Sequence, residues 1–180
     1  MDALAAYMGI GGKKYWERNR KVVLESRGKR IESLRSLVPG YYQYPAWLEF
    51  GCGIGANLLP GDVGVDADRR ILKEVPEGVI PICLDARLAY GIFMPNSFSV
   101  VLSVGFLMHL LQSEANALVL DMARISRKYV ILGEYEAEEE KDLLWDSETG
   151  KQGDGPAGLL WERPYRHMMA DAGLGLVSLQ

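Results

Sequence analysis

Glu49, Asp66, Asp85, Ser103 and Glu134 each stand at the end of a short apolar run. The first of them belongs to Leu48-Glu49-Phe50-Gly51-Cys52-Gly53-Ile54-Gly55-Ala56-Asn57. Glycines at 51, 53 and 55 allow a tight turn and let a ligand approach backbone that a Cβ would otherwise cover. Gly51-x-Gly53-x-x-Ala56 also fits a dinucleotide fingerprint. Glu49 argues against that use. Two residues before the first glycine, it would face the phosphates with a negative charge, whereas it suits an ammonium or other cation. Asp85 ends a later apolar run, where an adenine amino group could donate to its carboxylate. Cys52 reads as a small filler within the loop. His109 is at even odds between a core histidine and a group facing a reacting substrate. Glu134, beside Tyr135, is equally balanced between a site residue and the start of an acidic loop.

These groups need elements to hold them. Residues 15–38 read as a helix, interrupted at Gly28, with Val23/Leu24, Ile31, Leu34 and Leu37/Val38 on one face. Pro39-Gly40 stops it. Short strands follow at 46–50, 63–66, 79–84, 98–103 and 129–133. A helix over 69–74 is expected behind Asp66-Ala67-Asp68, with Asp68 as its cap and Asp66 kept for a ligand. A second helix spans 112–126, with Leu118, Met122 and Ile125 at core spacing. A last helix has Pro164 in its first turn and Gly173 just past its end, with Met168 and Met169 in the core and His167 at the surface. Residues 174–179 read as a closing strand. Strands alternating with helices imply a doubly wound, mostly parallel sheet with helices on both faces, the α/β class. In such sheets the ligand sits beyond the carboxyl ends of the strands, where the five residues named first are placed.

At 180 residues and 20.0 kDa, 48% hydrophobic and 24% charged, the chain suits one globular domain. Residues 1–40 form a helical arm and residues 41–180 the α/β domain. Two cysteines and two distant histidines argue against a disulfide scaffold or a metal site. The longest apolar stretch, 100–111, is too short for a membrane span, and no leader pattern opens the chain. A cytoplasmic protein is the expectation. Charge is unevenly spread: 13–35 holds nine Lys/Arg against three acids, and 134–148 holds eight acids against Lys141. A basic helix could track phosphates, but a solvated face is the commoner meaning of such a run.

The ordered motifs over 46–133 resemble those of the class I S-adenosylmethionine-dependent methyltransferases. The resemblance implies a Rossmann-like domain that binds S-adenosylmethionine and releases S-adenosylhomocysteine. It places Glu49, Gly51, Cys52, Gly53 and Gly55 around the methionine part and Asp66, with Ala67, on the ribose hydroxyls. Asp85 and Ala86 fall at the adenine, and Ser103 and Val104 beside the cofactor and acceptor. More weakly, Tyr15-Trp16-Glu17-Arg18-Asn19, the glycine loop, Val104–His109, residues 126–135 and Leu160–Tyr165 resemble the methylases associated with pseudaminic acid biosynthesis. Departures from the class I pattern are plain. Seven residues between Asn57 and Val65 leave room for barely one helical turn, Ser99 stands where an acid is usual, and no sequence follows for a seventh strand.

The leading expectation is therefore methyl transfer to an oxygen or nitrogen of a small molecule, a sugar-type metabolite among them. His109 is the first candidate base and Glu134 the second. Residues 7–18 would close over the cofactor as a lid, with Trp16 against the sulfonium and Arg18 on the cofactor carboxylate. The alternatives are a non-catalytic binder of cofactor or partner protein, and a nucleic-acid methyltransferase. The latter is disfavoured because no segment suited to gripping a flipped base is present.

Overall fold

The five apolar runs become five parallel strands: β1 (Trp47–Phe50), β2 (Val63–Asp66), β3 (Ile80–Cys83), β4 (Phe98–Val104) and β5 (Ser126–Gly133). The computed structural model describes residues 12–142, 145–146, 151–152 and 161–177, with side chains over 20–140 and 161–177. The strand order is β3-β2-β1-β4-β5. Chain direction across the sheet reverses between β1 and β4, which opens a crevice at their carboxyl ends.

Alternation along each strand sends side chains to opposite faces. Leu48, Phe50, Val63, Val65 and Val101 pack with Leu118, Met122 and Ile125 of α2 (Gln112–Ile125) and with Tyr165 and Met168 of α3 (Tyr165–Asp171). Trp47, Val100, Leu102 and Ile131 face the other way. They meet Val38 and the half-buried Leu34 and Leu37, at and beyond the end of α1 (Gly12–Ser36). Helices thus cover both faces of the doubly wound, Rossmann-like sheet, and this double cover explains why its strands read as apolar runs.

Helix α1 is not interrupted at Gly28. Glycine costs about 1 kcal/mol in a helix, and here anchors on either side outweigh that cost. Arg27 donates to the Leu58 carbonyl at 2.9 Å and Arg30 to Asn57 at 3.2 Å. Arg20 bonds Glu74 at 2.9 Å, and the Arg35 guanidinium pairs with Asp62 while lying 3.8 Å over the Trp47 ring. Arg27, Arg30 and Arg35 are therefore turned toward the domain, while Arg20, Lys21 and Lys29 stay exposed. Val23 reaches the core side, but Leu24 is exposed.

Three further expectations are corrected. The helix over 69–74 is a single tight turn, Ile71–Glu74, because Pro76 leaves no length for more. The link between β1 and β2 holds consecutive turns and no helix. Residues 174–177 form no strand: Leu176 and Val177 are exposed, and Gly173 turns the chain at φ +77°. Residues 178–180 lie outside the described residues, and among those described the main sheet has five strands. Two small antiparallel pairs, β6 (Lys141–Asp142) with β9 (Trp161–Glu162) and β7 (Trp145–Asp146) with β8 (Lys151–Gln152), lie between β5 and α3. No described helix is long and apolar enough to cross a membrane.

Candidate functional site

Glycines 51, 53 and 55 all adopt positive φ, +68°, +53° and +68°. Together they coil the backbone into a loop that a strand-forming residue could not follow. The loop is tied to β2: Cys52 N donates to the Val65 carbonyl at 3.0 Å, and Gly53 N to Asp66 Oδ2 at 3.0 Å. Gly51 is the tightest position, since a Cβ there would stand 2.2 Å from Cγ of Phe106. At Gly53 nothing lies within 4 Å. Both positions share the conformational cost, so Gly51→Ala is expected to destabilise the fold by about 1–3 kcal/mol more than Gly53→Ala. Urea unfolding of both variants checks this, and adding Phe106→Ala should recover only part of the difference, because the Phe106 Cβ, 2.4 Å from the new one, remains. Cys52 is buried, and burial with the nearby Glu49 and Asp66 pushes its thiol well above the ordinary range. That is the state of a filler and not of a nucleophile.

A cavity opens over the carboxyl ends of the strands. Glu49, Gly51, Cys52 and Gly53 line it, as do Asp66 and Ala67, Asp85 and Ala86, Val104 and His109. Gly55, Ser103 and Glu134 stand outside its wall. The side chains of Trp16 and Arg18, and residues 7–11 of the expected lid, lie outside the described residues. In their place the middle of α1 roofs the cavity: Val23 packs on Ile54, Ala56 and Ile71, and Arg30 lines the wall. Among the described residues no group of three or more His, Cys, Asp or Glu side chains could hold a metal ion.

Glu49 is 1% exposed. Its Oε1 accepts from Asn57 Nδ2 at 2.6 Å, and Arg30 Nε donates to Asn57 Oδ1 at 3.2 Å, so an Arg30–Asn57–Glu49 chain runs along the wall. Its Oε2 is shielded from solvent and has no partner. Burial raises its pKa to about 8, against the lowering effect of Asn57 and Arg30. Asp66 accepts Gly53 N on Oδ2 and Asp68 N on Oδ1, the latter at 2.8 Å, so it shapes the loop as well as facing the cavity. Burial raises its pKa too. Asp68 accepts from Arg70 through backbone and side chain, but it is not the cap expected: the turn begins at Ile71 with Arg70 in the capping position and no side-chain cap. Asp85 accepts from Arg87 N at 3.0 Å and is gripped by the same arginine's guanidinium.

Ser103 Oγ donates to Glu134 Oε1 at 2.8 Å. The same oxygen accepts from the backbone N–H of Phe106 and of Leu107, both at 3.0 Å. Glu134 is therefore a backbone anchor behind the loop that carries Phe106 and His109. Sequence reasoning assigned no role to Arg30, Asn57, Arg87 or Arg163. A signal existed for the first: Arg20, Arg27 and Arg30 recur at turn spacing along α1, marking one face. For Arg163 the signal was only its place in Leu160–Tyr165, which carries part of the weaker resemblance and gave it no role.

No protein-family profile matches the sequence, and no curated protein matches it. Solved structures do. A SAM dependent methyltransferase from Archaeoglobus fulgidus is 18% identical over 88% of this chain and 73% of its own, with a TM-score of 0.62. Magnesium protoporphyrin IX methyltransferase (ChlM) from Synechocystis PCC 6803, solved with bound SAH, is 15% identical over 99% and 91%, with a TM-score of 0.69. The sugar N-methyltransferase KedS8 from Streptoalloteichus sp ATCC 53650 is 16% identical over 69% and 53%, with a TM-score of 0.52. At such identities the likeness is one of fold: the chain has the fold of the S-adenosylmethionine-dependent methyltransferases.

Proposed function

We propose that this chain is an S-adenosylmethionine-dependent methyltransferase acting on an oxygen or nitrogen nucleophile of a small molecule. The observation that carries the reading is the gathering of Glu49, Gly51, Asp66 and Asp85 around one cavity, at the switch point of a sheet whose structural relatives include a methyltransferase solved with bound SAH. The residues suit the cofactor. The unpartnered Oε2 of Glu49 calls for a donor, which an α-ammonium would be. Asp66 has used one lone pair on each oxygen and keeps others for a pair of vicinal hydroxyls. Asp85 and Ala86 would flank the base, and Val104 the departing sulfur.

Arg30 is assigned the cofactor carboxylate, the role expected of Arg18. At 1.5 Å per residue Arg18 lies roughly 18 Å further along α1, whereas Arg30 lines the cavity. The cofactor supplies an activated methyl group on a sulfonium. The chain's own task is to hold the acceptor in line and keep water out. His109, in the cavity wall, would take the acceptor's proton. A small acceptor is favoured over nucleic acid because Arg20, Arg27, Arg30 and Arg35 are engaged within the domain, which leaves α1 less charge for phosphates. A sugar-type acceptor is the class favoured by the sequence resemblance and by the sugar N-methyltransferase among the relatives.

Isothermal calorimetry tests the reading. S-adenosylhomocysteine should bind the wild type and NAD should not. Asp66→Ala should weaken binding by about 1.5–3 kcal/mol, the size of hydrogen bonds to a charged group. Absence of heat with both S-adenosylmethionine and S-adenosylhomocysteine would refute it.

A further inference from the structure

Between β4 and α2 the chain carries Phe106 and His109 along the cavity wall, in a single tight turn, Leu107–His109. So short a segment closes few bonds of its own: His109 N reaches the Phe106 carbonyl at 2.9 Å and Leu110 N the Leu107 carbonyl at 3.1 Å. Four of the segment's backbone groups are held by two ionisable side chains from distant parts of the sequence. Glu134, just past β5, accepts the N–H groups of Phe106 and Leu107 on one oxygen. Arg163, between β9 and α3, donates to the carbonyl of Leu107 at 2.7 Å and to that of Leu110. Its Nε is held by Gln112 Oε1 at 2.9 Å and Glu140 Oε2 at 2.7 Å. Arg163 is wholly buried, and neither it nor Glu134 lines the cavity.

We infer that Glu134 and Arg163 are positioning residues, a two-ended clamp that grips the donors and acceptors of one loop from behind and so sets where His109 stands. Two reasons favour this over a proton-transfer role for Glu134. Its Oε1 serves three donors, which fixes the carboxylate against the loop, and the residue, its Oε2 buried and unpartnered, stands outside the cavity wall. A guanidinium suits the other end because its rigid fork spans two carbonyls at once, which an ammonium cannot do with the same geometry. Through Glu140 the clamp also ties the acidic stretch after β5 to this loop. The role of His109 rests on the methyl-transfer reading; the clamp itself does not.

The chain's only histidines are His109 and His167, and His167 is exposed on α3. Proton–carbon NMR of the imidazole ring therefore reads two signals, assigned by His167→Gln, with His167 as an internal control. Arg163→Lys and Glu134→Ala should shift or broaden the His109 signal and leave that of His167 in place. Glu134→Gln keeps an acceptor oxygen for the loop N–H groups and should return the His109 signal to its wild-type position. If Glu134→Ala does not fold, Glu134→Asp, one methylene too short, takes its place. A His109 signal indifferent to both Arg163→Lys and the loss of Glu134, or displaced equally by Glu134→Gln and Glu134→Ala, overturns the clamp. Failure of the wild type to bind S-adenosylhomocysteine would instead count against the methyl-transfer reading and leave the NMR comparison intact.

Discussion

Glu49→Gln is expected to weaken S-adenosylhomocysteine binding by roughly 2–4 kcal/mol at pH 7 and to abolish the proton release that accompanies it. Breaking a buried ion pair costs about 3–5 kcal/mol. Part of that is already spent in the wild type, whose carboxyl must first ionise. With a pKa raised to about 8 by burial, it is mostly protonated at pH 7 in the free protein, and ionising it there costs about 1.4 kcal/mol. An ammonium placed at Oε2 would draw the proton off. Calorimetry in buffers of different ionisation heat should therefore show close to one proton released at pH 7, and affinity that rises with pH until about 8. The free protein carries the converse signature. The folded state keeps this proton while the unfolded chain loses it near 4.5. Between those values stability falls as pH rises, by up to about 1.4 kcal/mol per unit, and then levels off. Glu49→Gln should lack that slope, so its melting temperature should gain on the wild type across the same window. Binding with no proton release and no pH dependence would remove Glu49 from the ammonium.

The second large effect is expected at Asp62→Ala, a loss of about 3–5 kcal/mol in folding free energy measured by urea unfolding. Asp62 is 3% exposed and Arg35 is 6% exposed. Besides the arginine, the carboxylate accepts the backbone N–H of Trp47 at 3.0 Å and of Leu59 at 2.8 Å. Removing it strands a buried guanidinium, already burdened by desolvation, and two backbone donors. Replacing Arg35 and Asp62 together by apolar residues should recover part of the loss, because the uncompensated charge goes with its partner. A change below about 1 kcal/mol in the single variant would mean that water reaches the pair. The pair fastens the end of α1 to the start of β1, so loosening it should also loosen the roof that Val23 and Arg30 place over the cavity.

Much of the fold could be read along the chain because its signals are local. The inner strands β1, β2 and β4 are covered on both faces and so appear as apolar runs, each ending near a turn-forming or acidic residue, while the edge strand β3 is apolar yet largely exposed. The glycine loop is legible for a similar reason: three alternate glycines announce a backbone of positive φ. Strand order across the sheet was not legible in the same way, because the links from β1 to β4 hold turns and no α-helix. Local reasoning failed where composition and context disagree. Residues 174–177 are apolar enough for a strand, yet Leu176 and Val177 are exposed and no strand forms. Gly28 looks like a helix break, yet bonds from Arg27 and Arg30 to a loop some thirty residues away carry the helix through it.

By itself, then, the sequence determined the order of strands and turns and the row of acids beyond the sheet's carboxyl edge. It did not determine what each acid holds. Glu49, Asp66, Asp85 and Glu134 look alike in the sequence, as carboxylates closing apolar runs. Tertiary structure alone puts one in the cavity wall on Asn57, makes the second a tie for the glycine loop, grips the third with Arg87, and puts the fourth behind the wall as an anchor. The reason is physical. Apolar periodicity depends on neighbours two to four residues away, whereas the partner of a buried polar group is whichever donor or acceptor packing brings within hydrogen-bonding distance. For Arg30, Glu134 and Arg163 that partner lies 27, 28 and 56 residues away.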